Sequence, residues 1–132
     1  MKIYRKIWIR DIEEIDFDEV GVHFTKNKNY THRGGSSRGT TKDEGFLVTF
    51  IADGDFEINE DATRESNENY PHEREVVLAF DQELEATIKI AKPIDSYKWS
   101  KERGFERIYR TFKTIKRTIN TGYRCDPWVH NV

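Results

Sequence analysis

Four segments of the chain have the pattern of β-strands, two by alternation of apolar and polar residues and two by a short apolar run, and they limit the fold more than any other feature. They are KIYRKIWI (2–9), GFLVTFIA (45–52), EREVVLAF (73–80) and ELEATIKIA (83–91). Successive side chains of a strand point to opposite faces, so each segment predicts a strand with one buried side. GVHFT (21–25) adds a short strand. The dipeptide Asp81-Gln82 suggests a hairpin between the last two long segments.

The pattern beyond residue 95 is that of a helix. Asp95 and Ser96 are both good N-caps, and Gly122 suits a position just past a helix end. The apolar residues between them follow three- and four-residue steps, which give one stripe along a helix. They are Phe105, Ile108, Tyr109, Phe112, Ile115 and Ile119. Strands followed by a helix predict one α+β domain over residues 1–132, with a core over 1–92 and a C-terminal helical extension over 93–132.

Composition places the chain among folded proteins. Charged residues make up 35% of it, but its 17 aromatic residues and net charge of −2 argue against disorder. No apolar run is long enough to span a membrane, and the N-terminus lacks the apolar core of a signal peptide. The single cysteine, Cys125, cannot form an internal disulfide. These features predict a cytoplasmic protein that does not bind membranes.

Charge is divided unevenly along the chain. Residues 1–95 hold 13 basic and 21 acidic groups (−8), whereas residues 96–132 hold 9 basic and 3 acidic groups (+6). The predicted C-terminal helix is therefore both amphipathic and basic. Its cations are Lys98, Lys101, Arg103, Arg107, Arg110, Lys113, Lys116 and Arg117. They suit a nucleic acid, an acidic protein, or the acidic segment 53–73 of this same chain.

Three short motifs lie on or beside the predicted strands. Arg5 lies within IYRKI, GVHFTKNKNY spans residues 21–30, and Glu73-Arg74-Glu75 opens a later strand. An arginine on the first strand, an aromatic and threonine segment on the second, and a late E-x-E resemble the ADP-ribosyltransferase superfamily. Its small bacterial and phage-type members are the most similar, over roughly residues 3–90. The resemblance implies a split antiparallel or mixed β-sheet with NAD as the substrate.

The chemistry of that family suits the two glutamates. Transfer of ADP-ribose breaks the bond between nicotinamide and its ribose through an oxocarbenium-like transition state, akin to glycoside cleavage. A fixed carboxylate stabilises the developing positive charge. The resemblance gives this role to Glu75. It implies that Glu73 orients or deprotonates the acceptor, or helps to bind it.

The resemblance also implies a set of NAD-binding residues. Arg5 holds the diphosphate or ribose, because a planar guanidinium with five donors matches phosphate. His23, Phe24 and Tyr30 flank the nicotinamide and offer aromatic faces. Thr25 offers a hydroxyl to the ribose or helps to hold Glu75. The expected site thus joins Arg5, Glu73 and Glu75 to these four residues.

The expected function is therefore mono-ADP-ribosylation of a macromolecule, with a protein favoured as acceptor. So small a chain suggests a phage effector acting on a host component, in the host cytoplasm. The loop RGGSSRGTTKDEG (33–45) is a candidate to close on NAD or to meet the acceptor. No histidine or cysteine has the spacing of a zinc site, so no metal is predicted.

Several alternatives stay open at this point. The family's first-strand glycine is replaced by Lys6, and its second-strand S-T-S triplet by F-T, which favours an inactive member that binds and inhibits a partner. A nucleic-acid-binding module that uses the predicted basic helix is another alternative. In the simplest account, Glu73 and Glu75 form a solvated strand end, Arg5 forms a salt bridge, and the aromatic residues are core.

Overall fold

The computed structural model describes residues 1–28, 45–101 and 104–123, and within them six strands and one α-helix. The strands are β1 (Lys2–Ile9), β2 (His23–Thr25), β3 (Phe46–Asp53), β4 (Glu75–Val77), β5 (Glu83–Ser100) and β6 (Gly104–Asn120), and the helix is α1 (Glu60–Asn69). Short 3-10 turns cover Ile12–Glu14 and Pro71–Glu73. Almost all of the 33–45 loop, together with Tyr30 and Cys125, lies outside the described residues.

The strands form one sheet in the order β4-β2-β1-β3-β5-β6, and every pairing is antiparallel. The predicted α+β class is confirmed, and each of the five segments predicted as strands contains one. The predicted hairpin of β4 with β5 is wrong, because β4 pairs with β2. The backbone between them bonds elsewhere: Leu78 N–H donates to Val22 O (2.9 Å) and Asp81 N–H to Gly122 O (2.7 Å).

The core lies on one face of the sheet. Alternation along β1 puts Ile3 and Ile9 on this face, and both are buried. The other strands contribute Phe24, Val48, Phe50, Ala52, Val76, Leu84, Ile88, Ile90 and Ile119. The end of β6 also bonds to the segment before β2, since Val20 N–H donates to Asn120 O (3.0 Å). These bonds hold residues 17–22 against the sheet.

The predicted C-terminal helix is wrong, and the segment forms the second half of a long hairpin. β5 and β6 have 18 and 17 residues, and the pairs Leu84 with Ile119 and Ile88 with Ile115 lie in register. The step of four from Ile115 to Ile119 fits one face of a strand as well as of a helix, but steps of three such as Phe112 to Ile115 fit only a helix, so the spacing favoured the wrong element. The β-branched residues of TFKTIKRTI (111–119) favour a strand, and pairing with β5 buries Ile119 in the core.

The residues predicted as helix N-caps lie at an irregularity of the same hairpin. The register shifts between Pro93 and Tyr97, so Asp95 and Ser96 fall within a bulge of β5. No helix in the described ranges is both long enough and apolar enough to cross a membrane.

Candidate active site

Residues from three distant parts of the chain meet where β2 lies between β1 and β4. Tyr4 is opposite Thr25, and Thr25 is opposite Glu75. Opposed residues share a face of a sheet, so His23, Thr25 and Glu75 point to the same side. Arg5 reaches this cluster from the core side of β1, through the contacts described below. The structure therefore brings together Arg5, His23, Thr25 and Glu75, which come from all three motifs.

The carboxylate of Glu75 is the centre of the cluster. Its Oε1 lies 2.5 Å from Nδ1 of His23, and its Oε2 accepts a hydrogen bond from the hydroxyl of Ser66. The side chain of Glu75 is 14% exposed, whereas that of His23 is 57% exposed. A carboxylate this deeply buried needs bonded partners, and it has one on each oxygen. Glu75 is thereby held in one orientation, with the imidazole between it and solvent.

Arg5 supplies a positive charge near Glu75. Its Nε donates to Val20 O (2.7 Å) and its Nη1 to His23 O (2.9 Å), so the guanidinium lies against the segment that leads into β2. Burial lowers the pKa of Arg5, and the negative charge of Glu75 acts in the opposite direction, raising it. The guanidinium is thus partly desolvated and fixed by two backbone oxygens.

Gly21 makes room for that guanidinium. A Cβ on Gly21 would lie 3.0 Å from Nη2 of Arg5, and the backbone φ of +100° is one that other residues rarely adopt. Sequence analysis did not identify Gly21. In the sequence, Gly21 is distinguished only by its position at the start of the strand GVHFT.

Thr25 holds the turn that precedes β4. Its side chain is fully buried, and its hydroxyl donates to Glu73 O (2.5 Å) and accepts from the backbone N–H of Asn27 (2.9 Å). The backbone N–H of Lys26 also donates to Arg74 O (3.1 Å). Thr25 therefore fixes the chain immediately before Glu75, one of the two roles that the resemblance implied for it.

Glu73 does not stack on Glu75 along a strand. It ends the Pro71–Glu73 turn, and Arg74 has a φ of 48°, which redirects the chain before β4 begins. The carboxylate of Glu73 lies 4.0 Å from Nε2 of His72. The two glutamates are therefore presented by different backbone elements, although both remain close to Thr25.

Helix α1 covers the outer side of β4, and sequence analysis missed it. Asn59 caps its first turn by accepting from the N–H of Ala62 (3.1 Å), and Glu60 and Asp61 follow in that turn. An asparagine cap with two acidic residues after it was a signal in the sequence. The weak apolar pattern hid the helix, since none of its residues is buried.

The helix contacts β4 through polar side chains spaced three and four residues apart. The backbone N–H of Val77 donates to Oγ1 of Thr63 (2.9 Å), and Nδ2 of Asn67 donates to Glu75 O (3.0 Å). Ser66, between them, donates to the carboxylate of Glu75. One face of α1 therefore both completes the backbone bonding of an edge strand and orients the central carboxylate.

Phe24, one of the predicted nicotinamide-flanking residues, is not part of the cluster. Phe24 is fully buried and pairs with Val76 on the core face, opposite to the face that carries His23 and Thr25. The prediction that Phe24 flanks a ligand is wrong in this structure, because strand alternation sends its ring into the core. Tyr30 lies outside the described residues.

Within residues 1–28, 45–101 and 104–123, no group of three His, Cys, Asp or Glu side chains could hold a metal ion. Comparison of the chain with protein-family models, with curated proteins and with solved structures gave no match. Function is therefore inferred from the cluster around Glu75.

Proposed function

We propose that this chain is an NAD-dependent mono-ADP-ribosyltransferase that transfers ADP-ribose to a macromolecular acceptor, with a protein favoured. One observation carries the proposal. Arg5, His23, Thr25 and Glu75 come from three separate motifs, and all four lie in one hydrogen-bonded cluster. The sheet is proposed to be of the split ADP-ribosyltransferase type, with β2 and β4 forming its short half.

In the proposed reaction, the bond between the ribose C1 and the nicotinamide nitrogen breaks. The bonding electron pair goes to the nicotinamide ring, and positive charge develops on the ribose. The fixed, partly desolvated carboxylate of Glu75 stabilises that charge, since a preoriented group need not reorganise during the reaction. The acceptor then attacks C1 and loses its proton.

Arg5 and His23 have supporting roles in this proposal. The guanidinium of Arg5 is fixed by two carbonyl oxygens and is suited to the negative diphosphate or to the ribose hydroxyls. His23 keeps Glu75 oriented through Nδ1 and exposes more than half of its ring, which is available to a ligand. With Phe24 in the core, His23 is the aromatic ring proposed to lie beside nicotinamide.

The test is nicotinamide release from NAD by the purified chain, measured with and without cell lysate. We expect Glu75→Gln to lower the rate about 100-fold or more, because removing one preorganised electrostatic group typically has that effect. Glu65→Gln is the matched control, since Glu65 is exposed and adjacent to Ser66 on α1. Absence of Glu75-dependent release in both buffer and lysate would refute the proposal.

A second comparison separates hydrolysis from transfer. Glu73→Gln should leave nicotinamide release in buffer nearly unchanged while it lowers incorporation of labelled ADP-ribose into lysate, if Glu73 acts on the acceptor. Digestion of the labelled product with protease or with nuclease then identifies the class of acceptor. Label that resists protease and yields to nuclease would exclude a protein acceptor.

The second candidate is an inactive member of the same fold that binds a partner. It is favoured by one observation: both carboxylate oxygens of Glu75 are bonded to protein groups, as in a structural ion pair. Under this candidate, Glu75→Gln lowers the free energy of unfolding, and the wild-type chain releases no nicotinamide. Measuring stability and release on the same samples distinguishes the two candidates.

A further inference from the structure

The β5–β6 hairpin extends past the rest of the sheet. β5 pairs with β3 from Ala86 to Ala91, and beyond Ala91 it pairs with β6 but not with β3. Residues 92–101 and 104–110 therefore form a two-stranded ribbon, called the arm below. No part of the cluster around Glu75 belongs to it.

One face near the tip of the arm carries three exposed aromatic rings. Tyr97 is opposite Arg107, and Trp99 is opposite Phe105. Residues two apart on a strand share a face, so these four side chains lie on one side of the ribbon. Trp99 is 63% exposed, Phe105 74% and Tyr97 51%. An exposed cluster of large rings on a small protein marks a binding surface.

Arg107 is built into the same face. Its guanidinium carbon lies 5.1 Å from the centroid of the Tyr97 ring, and its Nη2 donates to the Tyr97 hydroxyl at 2.5 Å. The cation is thus held beside the Tyr97 ring in a cation–π arrangement.

The charge of the arm contrasts with that of the rest of the chain. Residues 92–101 and 104–110 contain five basic and two acidic residues (+3), whereas residues 1–91 contain 12 basic and 20 acidic residues (−8). The basic side chains continue along the arm, where Lys98, Lys101 and Arg110 are exposed. The arm is therefore complementary to a polyanion, and the remainder of the chain is not.

We propose that the arm binds single-stranded nucleic acid. Bases stack on the exposed rings, and the lysine and arginine side chains contact the phosphates. The backbone positions of residues two apart on a strand are separated by about 6.8 Å, roughly twice the 3.4 Å step between stacked nucleotides, so the spacing of Tyr97 and Trp99 suits one base between them. This function goes beyond NAD chemistry and does not depend on it.

The observations favour a single strand over other partners. Readers of a duplex contact the edges of bases that remain stacked, chiefly through hydrogen-bonding side chains. Exposed rings instead need unstacked bases, which a duplex does not offer. Protein interfaces are depleted in lysine, whereas Lys98 and Lys101 flank the rings.

The test is fluorescence anisotropy of labelled 12-nucleotide uridine and thymidine oligomers, with a 12-base-pair duplex and heparin as comparisons. We expect the single strands to bind more tightly than the duplex. Trp99→Ala and Phe105→Ala should each weaken binding about 5- to 150-fold, since stacking on one ring accounts for that range. Phe80→Ala is the matched control, because Phe80 is an exposed aromatic residue outside the arm. The uridine and thymidine oligomers separate an RNA preference from a DNA preference.

The ionic contribution is tested by salt titration. The logarithm of the binding constant should fall by about 0.7 per phosphate contact for each unit of the logarithm of salt concentration. Lys98→Gln and Lys101→Gln should each reduce that slope, while Lys89→Gln, exposed within the sheet-paired part of β5, should not. Failure to bind either oligomer, equal binding of heparin, or indifference to Trp99 and Phe105 would each overturn the proposal.

The proposal can fail separately from the enzymatic one. Glu75→Gln should bind the oligomers as the wild type does, because Glu75 lies in a different part of the sheet. Loss of nicotinamide release with oligomer binding intact would therefore bear only on the enzymatic proposal. Loss of oligomer binding with nicotinamide release intact would bear only on the arm.

Discussion

The two edge strands of the sheet, β4 and β6, are protected in different ways against pairing with another chain. β4 is three residues long, and Thr63 and Asn67 of helix α1 bond to its backbone. β6 is 17 residues long and carries exposed cations such as Lys113 and Lys116 along its length. A short strand under a helix and exposed charge along a strand are both recognised protections against edge-to-edge association.

The difference separates two kinds of surface. The covered edge holds polar groups in fixed positions, which is what a catalytic carboxylate requires, and Glu75 lies there. The charged edge presents side chains to solvent on a ribbon with few other contacts, which suits recognition of a partner. Truncation of a side chain should therefore destabilise the protein at the β2–β4 end and leave its stability almost unchanged near the tip of the arm.

The largest expected difference is between two phenylalanines. Phe24→Ala should lower the free energy of unfolding by about 3–5 kcal/mol, because it removes a fully buried ring from the core. Phe105→Ala should change it by no more than about 0.5 kcal/mol, because that ring is 74% exposed. Urea denaturation of both variants measures the two values. Similar losses of unfolding free energy in the two variants would show that the arm is packed against other groups in solution. The contrast between the β2–β4 end and the arm would then be wrong.

A smaller effect is expected where a buried hydroxyl is removed without a change in shape. Thr25→Val takes away the hydrogen bonds to Glu73 O and from Asn27 N–H, so the free energy of unfolding should fall by about 1–3 kcal/mol. Thr114→Val, on the exposed side of β6, is the control and should be near neutral. If the proposed function holds, Thr25→Val also slows nicotinamide release, because the turn before Glu75 loses its anchor. A stable and fully active Thr25→Val would contradict the positioning role.

Alternation of apolar and polar residues predicted the strands around Ile3 and Ile88, because period two does not suit a helix. The strand around Val48 was predicted from a short apolar run instead. The segment containing Phe112 and Ile115 was different. Its three-residue steps favour a helix, and it forms a strand because it pairs with β5, which is a tertiary effect that no local pattern records.

The candidate site was predictable only where its residues differ from their strand neighbours. Arg5 stands among isoleucines, and Glu75 precedes a buried run, so both were found. Ser66 and Gly21 were not found, because a serine in a polar helix and a glycine before a strand are common. Their roles depend on contacts with residues far away in the chain.

A further prediction compares two glycines at the two ends of the sheet. Both Gly21 and Gly104 have positive φ, +100° and +69°, but a Cβ would meet Arg5 at Gly21 and nothing within 4 Å at Gly104. Gly104→Ala should therefore show only the cost of the left-handed conformation, about 1–2 kcal/mol. Gly21→Ala should cost more than Gly104→Ala in the same urea titration, by the amount needed to displace the guanidinium. Equal losses would mean that Arg5 moves aside freely and is not fixed.

The smallest effect concerns the cover of β4 itself. Asn59→Ala removes the cap of α1, so the free energy of unfolding should fall by about 1 kcal/mol, whereas Asn69→Ala, at the other end of the helix, should have little effect. Because Thr63 of this helix accepts from the N–H of Val77, loosening the helix should also speed hydrogen exchange at that amide. Amide exchange followed by NMR measures this directly. Unchanged exchange at Val77 in Asn59→Ala would show that β4 is protected without its helix, and the distinction between a covered and an uncovered edge would then rest on strand length alone.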